Sequence, residues 1–279
     1  MVPINNPAKR FRAPAAFSDF AGDKQFATTL ARGLVILGCF SERAPYLNNK
    51  ELSDLSGLPK ATVSRLTYTL LHMGYLRVNP RLQKFQLGTA VFTVGYPLVT
   101  SMTWRQVARP LMNELSRETR GTVSLWLRDR LSMTAIEVSR DRRSFGAQRL
   151  DIGFSVPIVA SSSGRAYMAA CEARDREFLV SEIRLKQPDL WADYQSITRA
   201  ALQEYPRKGY CMSRGDIRKD LSTVAAPLAR VWQDEIIVAT CAVQSHLARG
   251  HALEEAIAPG LLALVRTLES NLYDPTQFC

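Results

Sequence analysis

Apolar positions in the N-terminal third recur at helical spacing and then switch to strict alternation. In FATTLARGLVILGCF (residues 26–40), Leu30, Leu34 and Leu37 share one face at the ~100° per residue of an α-helix, which predicts a first helix. In GLPKATVSRLTYTLLHMGYLRV (residues 57–78), Val63, Leu66, Leu70 and Met73 form a second such stripe. Between them, APYLNNKELSDLSG holds a short helix. Asn48 and Glu51 have the spacing of a capping box, Leu52 and Leu55 point inward, and Gly57 ends it. Pro59 then opens the next helix, where its missing N–H costs little. After Gly74 the period falls to two, so YLRV and KFQL read as strands joined by the turn NPRLQ. Helix, short helix, glycine turn, helix and hairpin is the order of a winged helix-turn-helix.

The pattern after this unit is mixed. GTAVFTVGYPLVTSMTWRQVARPLMNELSRETR predicts a linking helix, a break near Pro97 and a second amphipathic helix toward residue 120. TVSLWLRDRLSMTAIEVSR reads as a hairpin turning at Asp129-Arg130, with Val123, Leu125 and Leu127 on one face and Trp126 on the other. DIGFSVPIVASSSGRAYMAACEA gives a strand-like stretch, a serine triplet and a helix, and STVAAPLARVWQDEIIVATCAVQS gives two more strands around a polar turn. A closing helix runs through Leu253, Ile257, Leu261, Leu264 and Leu268. Strands joined largely by hairpins, with helices before and after, predict an α+β sheet domain and not a Rossmann fold.

Charge sharpens the first unit. Residues 1–90 carry 12 Lys and Arg against 5 Asp and Glu, and residues 91–279 carry 24 against 21, within a net charge of +10. A basic third joined to a nearly balanced remainder points to a polyanion-binding module. The polar side of the third helix holds Ala61, Ser64, Arg65, Tyr68 and His72, with Lys60 and Thr62 near its start, and no carboxylate. The second helix of a helix-turn-helix lies in the DNA major groove, where a carboxylate would face phosphates. Lys60, Thr62, Ser64, Arg65 and Tyr68 suit such a groove; Arg32 on the first helix, and Arg81 and Lys84 in the hairpin, are placed for the flanking backbone. Winged helices also mediate protein contacts, so an interaction adaptor with a ligand-sensing domain is the alternative.

The remaining chemistry is sparse. Cys39, Cys171, Cys211, Cys241 and Cys279 are scattered without C-x-x-C spacing, against a disulfide framework or a structural zinc site. Cys241 lies near His246 in sequence, the weak basis for a Cys- or Ser-dependent hydrolase, but there is no G-x-S-x-G, S-x-x-K, P-loop or G-x-G-x-x-G. His246 and His251, five residues apart, would not share a helix face and make poor zinc partners. The sequence therefore predicts no enzyme, cofactor or metal. No stretch approaches the ~20 apolar residues that cross a bilayer, MVPINNPAKR is no signal peptide, and a cytoplasmic protein that binds no membrane is expected. In ASSSGRAYMAA the hydroxyls of Ser161 and Ser162 could cap the following helix or, with its free N–H groups, hold a carboxylate.

LARGLVILGCFSERAPYLNNKELSDLSGLPKATVSRLTYTLLHMGYL resembles the N-terminal domain of the isocitrate lyase regulator (IclR) family of bacterial transcription factors. PIVASSSGRA resembles that family's P-hxATAhGKA stretch, and RKGYC followed by STVAAPL its rGYA…AaPv segment, so the likeness spans roughly residues 25–272. It implies a winged helix-turn-helix DNA-binding domain (25–88), a linker helix (89–101) and a GAF-like α/β effector-binding domain (102–273); residues 1–24, with Pro3, Pro7, Pro14, Lys9, Arg10 and Arg12 and no sustained period, read as a disordered basic arm, and 274–279 as a tail. It also implies a homodimer, often a dimer of dimers, on a double-stranded operator. A small organic acid, frequently aromatic, would be the effector, and an activator of this kind would also meet RNA polymerase. Carried over residue by residue, the effector site comprises Ser161, Ser162, Ser213, Thr223, Ala242 and Gln244, with Trp126 as a further lining candidate. The chain departs from the pattern where Ala242 and Gln244 replace serines, Ser245-His246 replaces Gly-Pro, and Arg165 replaces the usual lysine.

Overall fold

The computed structural model describes residue 20 and residues 22–42, 44–141, 150–228, 235–248 and 250–272. The predicted basic arm, with Lys9, Arg10 and Arg12, and the tail 274–279 lie outside them. Two compact units meet in sequence at Ser101 and Met102.

The first unit contains α1 (Thr28–Gly38), α2 (Asn49–Ser56), α3 (Lys60–His72), β1 (Leu76–Asn79), β2 (Lys84–Leu87) and α4 (Ala90–Ser101). Its core joins Val35, Ile36 and Cys39 of the α1 region to Leu52, Leu58, Val63 and Leu76. The capping box of α2 is formed reciprocally: Glu51 N donates to Asn48 Oδ1 at 2.9 Å and Asn48 N to Glu51 Oε2 at 2.7 Å. Gly57 closes the helix at φ 72°. β1 and β2 pair antiparallel from Leu76↔Leu87 to Asn79↔Lys84, and Leu47 adds two backbone bonds to Phe85, a third rung absent from the sequence reading.

Three expectations need correction. Leu30 and Leu34 are 65% and 59% exposed, because α1 turns Val35 and Ile36 inward instead. Met73, expected on the α3 stripe, is exposed; the helix has ended there, and Thr67 occupies the buried face. Pro97 does not break its helix: α4 runs through it to Ser101, and the chain turns only at Met102.

The second unit contains α5 (Trp104–Thr119), β3 (Thr122–Asp129), β4 (Ser132–Arg140), β5 (Ser155–Pro157), α6 (Ser162–Ala170), α7 (Ala173–Lys186), α8 (Pro188–Lys208), β6 (Cys211–Arg214), β7 (Leu221–Pro227), β8 (Val238–Gln244), a π-helical turn (Leu253–Ile257) and α9 (Ala258–Leu272). Six strands form one sheet in the order β5-β4-β3-β8-β7-β6, with every neighbouring pair antiparallel. Alternation divides its residues between two cores. Val123, Leu125, Val224, Ala226, Ala239 and Cys241 pack with α5 and α9. Trp126, Ala225, Cys211 and Val238 pack with α6, α7 and α8. Helices α7 and α8 were not expected. The expected closing helix runs from Ala258; Leu253 and Ile257 lie in the π-helical turn before it, and they are buried together with Leu261, Leu264 and Leu268. No helix among the described residues is long and apolar enough to cross a membrane.

Candidate functional site

The outer surface of α3 is built by spacing: with Val63 and Thr67 buried and Leu66 packed against the same core, Ser64 and Arg65 between them turn outward. Lys60, Ser64, Arg65 and Tyr68 are exposed and Thr62 is half-buried. Pro59 supplies no side-chain cap, so the first N–H groups of α3 add partial positive charge at the same end. Tyr68 leans on His72, ring centroids 4.3 Å apart. Arg32 and Arg81 are exposed on α1 and in the hairpin turn. Lys84 differs from them: its Nζ lies 2.7 Å from Glu51 Oε1, tying the hairpin to α2. That bond is the first cause of the Glu51 carboxyl lying below its ordinary range. Arg77, exposed on β1 opposite Gln86, is a further wing cation that the sequence reading passed over; its outward place in YLRV was the available signal.

In the second unit, strand register brings together residues far apart in sequence. Ser213 pairs with Thr223, Thr223 with Ala242, and Ala242 with Thr122, forming one row across four strands. The adjacent row on the same face is Cys211, Ala225, Thr240 and Ser124, all buried. Thr122, Ala242 and Thr223 are only half-buried although their strands lie inside the sheet, so this face opens along their row. Gln244, two residues beyond Ala242, is half-buried on the same side. Trp126 is buried, and its Nε1 donates to Thr240 Oγ1 at 2.9 Å, one row deeper than Ala242.

Helix α6 packs over β6, β7 and β8 on this face. Ser161 is its N-cap: Gly164 N donates to Ser161 Oγ at 3.0 Å and Ser163 Oγ to Ser161 Oγ at 3.1 Å. The Ser161 hydroxyl is thus engaged in capping, while Ser162 opens the helix in a buried position. Gly164 is required by close approach, since a Cβ there would lie 1.8 Å from the Ile158 carbonyl oxygen. Ser213 Oγ accepts from Asp216 N at 3.3 Å. Arg165 and Asp216, a pair that the sequence did not point to, meet here: Arg165 Nη2 donates to Asp216 Oδ2 at 2.5 Å and to the Met212 carbonyl at 2.7 Å.

No nucleophile-base pair forms between the residues considered. Cys241 faces the other core, where burial pushes its thiol up to about 11, and His246 is exposed in the turn after β8.

Comparison with known proteins agrees with both halves. Residues 29–80 match the IclR helix-turn-helix domain and residues 97–266 the bacterial transcriptional regulator IclR C-terminal domain. The HTH-type transcriptional regulator TsaQ1/TsaQ2 of Comamonas testosteroni is 34% identical over 88% of each chain. The crystal structure of an IclR family transcriptional regulator from Brucella abortus superposes with a TM-score of 0.78 at 36% identity, covering 89% of this chain and 94% of that one. An IclR homologue from Microbacterium hydrocarbonoxydans complexed with 4-hydroxybenzoate shares the fold, with a TM-score of 0.68 at 20% identity over 88% of this chain and 98% of that one. With a helix-turn-helix and a sheet domain both matched, and relatives that are regulators and not enzymes, the chain belongs to the IclR family of DNA-binding bacterial transcriptional regulators.

Proposed function

We propose that the protein binds a duplex operator in the cytoplasm through α3 and that a small organic acid, an aromatic or other catabolic carboxylate, controls that binding. The DNA half rests on one observation above all. The outward face of α3 presents Lys60, Ser64, Arg65 and Tyr68, with Thr62 beside them and no carboxylate. Lys60, Thr62, Ser64, Arg65 and Tyr68 enter the major groove, while Arg32, Arg81 and, more weakly, Lys84 hold the flanking backbone. The half-open row Ser213–Thr223–Ala242, with its two hydroxyls, supports the effector half; Gln244 follows on the same side, and Ser162 and, deeper in the face, Trp126 are the further proposed contacts. The Microbacterium neighbour with 4-hydroxybenzoate supports a carboxylate as ligand.

A homodimer fits the apolar surface of the first unit. Helix α4 buries none of its residues, and Phe92, Val94, Tyr96 and Leu98 are exposed on it, as are Leu30 and Leu34 on α1. A second copy covering these side chains would set two recognition helices for two half-sites. The effector then changes DNA binding only by as much as it prefers one arrangement of the paired heads.

The test is fluorescence anisotropy of a duplex taken from upstream of the protein's own gene, competed with random DNA at fixed salt. A preference of roughly a thousandfold or more establishes specific binding. Absence of binding even at low salt overturns the groove reading and promotes the protein-interaction adaptor.

A further inference from the structure

The hairpin of the first unit ends in a turn that is pinned from within. Asn79 Oδ1 accepts the backbone N–H of Arg81 at 3.0 Å and that of Leu82 at 3.1 Å. Gln83 N donates to the Asn79 carbonyl at 2.9 Å, and Gln83 Nε2 to the Pro80 carbonyl at 2.9 Å. Gln83 takes the left-handed conformation at φ 51°, and Pro80 fixes its own φ by its ring. The side chains of Arg81 and Leu82 enter none of these bonds. They stand at the tip, Arg81 exposed and Leu82 52% exposed.

A lone exposed leucine is ordinary on a protein surface. The surroundings of this one are not. Residues 55–113 contain no Asp or Glu, so α3 and the whole hairpin lie inside a carboxylate-free stretch. Glu51, which the fold brings against the hairpin, is already engaged by Lys84 and by the Asn48 N–H. An apolar tip on a pinned, cationic hairpin suits a partner with charged ridges and a less polar floor between them. The hairpin and α3 belong to one unit, so the hairpin accompanies the helix to DNA.

Groove dimensions decide what can enter. Strand β1 spans four residues, about 13 Å at ~3.3 Å per residue. Beside a helix in the major groove, a projection of that length is long enough to cross the phosphate ridge. The minor groove beyond is ~6 Å wide and too narrow for a two-stranded ribbon, so only side chains of the tip fit. Arg81 has the charge for the phosphates at the rim, and Leu82 the apolar shape for the sugars and base edges within. We infer that Leu82 is a minor-groove wedge that leans on a TA or CA step flanking the major-groove site. Such steps are the ones that open easily, so the wedge selects sequence without a hydrogen bond to any base. This rests on the operator-binding reading above and adds to it a residue that reads deformability.

The experiment is fluorescence anisotropy of the full chain on the upstream duplex and on a copy with every adenine replaced by 2,6-diaminopurine. That base adds an amino group to the minor groove and a third hydrogen bond to its pair, while its major-groove edge stays as in adenine. The wild type should bind the substituted duplex about tenfold more weakly or worse, as for a mismatched pair. Leu82→Ala should bind the natural duplex about tenfold more weakly than the wild type. It should distinguish the two duplexes by no more than about twofold. The side chain is half exposed, so the variant keeps its fold, and no charge is lost, so its salt slope should match the wild type. If the wild type does not prefer the natural duplex over random DNA, the operator reading falls and the wedge with it. With that preference in place, equal binding of the two duplexes by the wild type overturns the wedge alone. A diaminopurine penalty that persists in Leu82→Ala also overturns it, because another residue then reads the groove. Full wild-type affinity of Leu82→Ala for the natural duplex overturns it too, and leaves the tip to a protein partner.

Discussion

Lys84 Nζ sits 2.7 Å from Glu51 Oε1, and the other oxygen of the same carboxylate accepts the Asn48 N–H that closes the α2 capping box. One acidic side chain therefore fixes a helix start and the base of the hairpin together. Beside it, Leu47 and Phe85 exchange backbone bonds of 3.0 and 2.8 Å. The lysine that sequence alone places on DNA is half-buried and already faces an anion, whereas Arg81 in the same hairpin is exposed.

Arg81 and Lys84 should consequently differ in the salt dependence of DNA binding. Arg81→Ala is expected to shallow the slope of log K against log salt by about one unit, the signature of one lost phosphate contact. Lys84→Ala should change the slope by clearly less and lower the urea midpoint more. Anisotropy titrations across a salt series measure both, and equal slope changes would mean that Lys84 leaves Glu51 for phosphate when DNA is bound.

The same pair carries a pH signature. Glu51 has its pKa lowered in the folded protein, first by the Lys84 hydrogen bond and then by the Asn48 backbone. A depressed carboxyl contributes stability above its unfolded value of ~4.3 and loses it as pH falls through the folded value. The gap in urea midpoint between wild type and Glu51→Gln should therefore narrow as pH is lowered from about 5 to about 3. The pair is exposed enough for the effect to be small. A gap that widened in acid would show that the carboxylate does not stabilise the fold in its charged form.

On α3, two neighbouring positions should separate recognition from folding. Arg65 is exposed, whereas Thr67 is buried, donating to the Ser64 carbonyl at 3.1 Å and lying 3.4 Å from Asn49 Oδ1. Arg65→Ala should remove the preference for operator over random DNA with no change in urea midpoint. Thr67→Val should lower stability by ~1 kcal/mol, read as a lower urea midpoint, while leaving sequence preference intact. Retained preference in Arg65→Ala would move the reading of bases elsewhere, with Tyr68 and Lys60 the next variants to make.

Much of the first unit was legible because its signals are local. Asn48, Glu51 and Gly57 act within a few residues of one another, and alternation in YLRV and KFQL sets a hairpin directly. What failed there was tertiary. Whether Leu34 or Ile36 turns inward depends on the helices packed against α1, and neither its period nor its composition contains that. Pro97 misled for a different reason: one lost backbone bond is tolerated where the rest of the helix continues on either side. The effector face was harder to see, since the row of Ser213, Thr223, Ala242 and Thr122 exists only through pairing across four strands. Those residues entered the sequence reading through family resemblance, apart from Thr122, which entered only with the structure. Arg165 and Asp216, 51 positions apart, had no sequence signal of partnership beyond the departure from lysine.

Gly164 should tolerate no side chain. A methyl group there meets the Ile158 carbonyl oxygen at 1.8 Å, and that neighbour is backbone, which cannot rotate away. Gly164→Ala should cost ~1–3 kcal/mol, the range for overpacking a dense site. It should also shift the start of α6 enough to blunt effector response. Urea denaturation and ligand titration check the two parts; a wild-type midpoint would mean that the preceding loop moves aside freely.

The open row gives the most direct test of where the effector sits. Thr223 is half-buried on the face covered by α6, whereas Ser222 on the same strand points to the opposite face and is buried, 3.1 Å from Ser245 Oγ. Thr223→Leu should fill the row and abolish ligand-dependent change in operator affinity, leaving ligand-free DNA binding as in the wild type. Ser222→Ala should lower stability by ~1 kcal/mol through the lost hydrogen bond and leave the response unchanged. Both are measured by repeating the operator anisotropy titration with and without a responsive acid. If Thr223→Leu responded normally while Ser222→Ala did not, the effector would lie on the α5 and α9 side of the sheet, and the polar row would be a structural feature of the α6 packing.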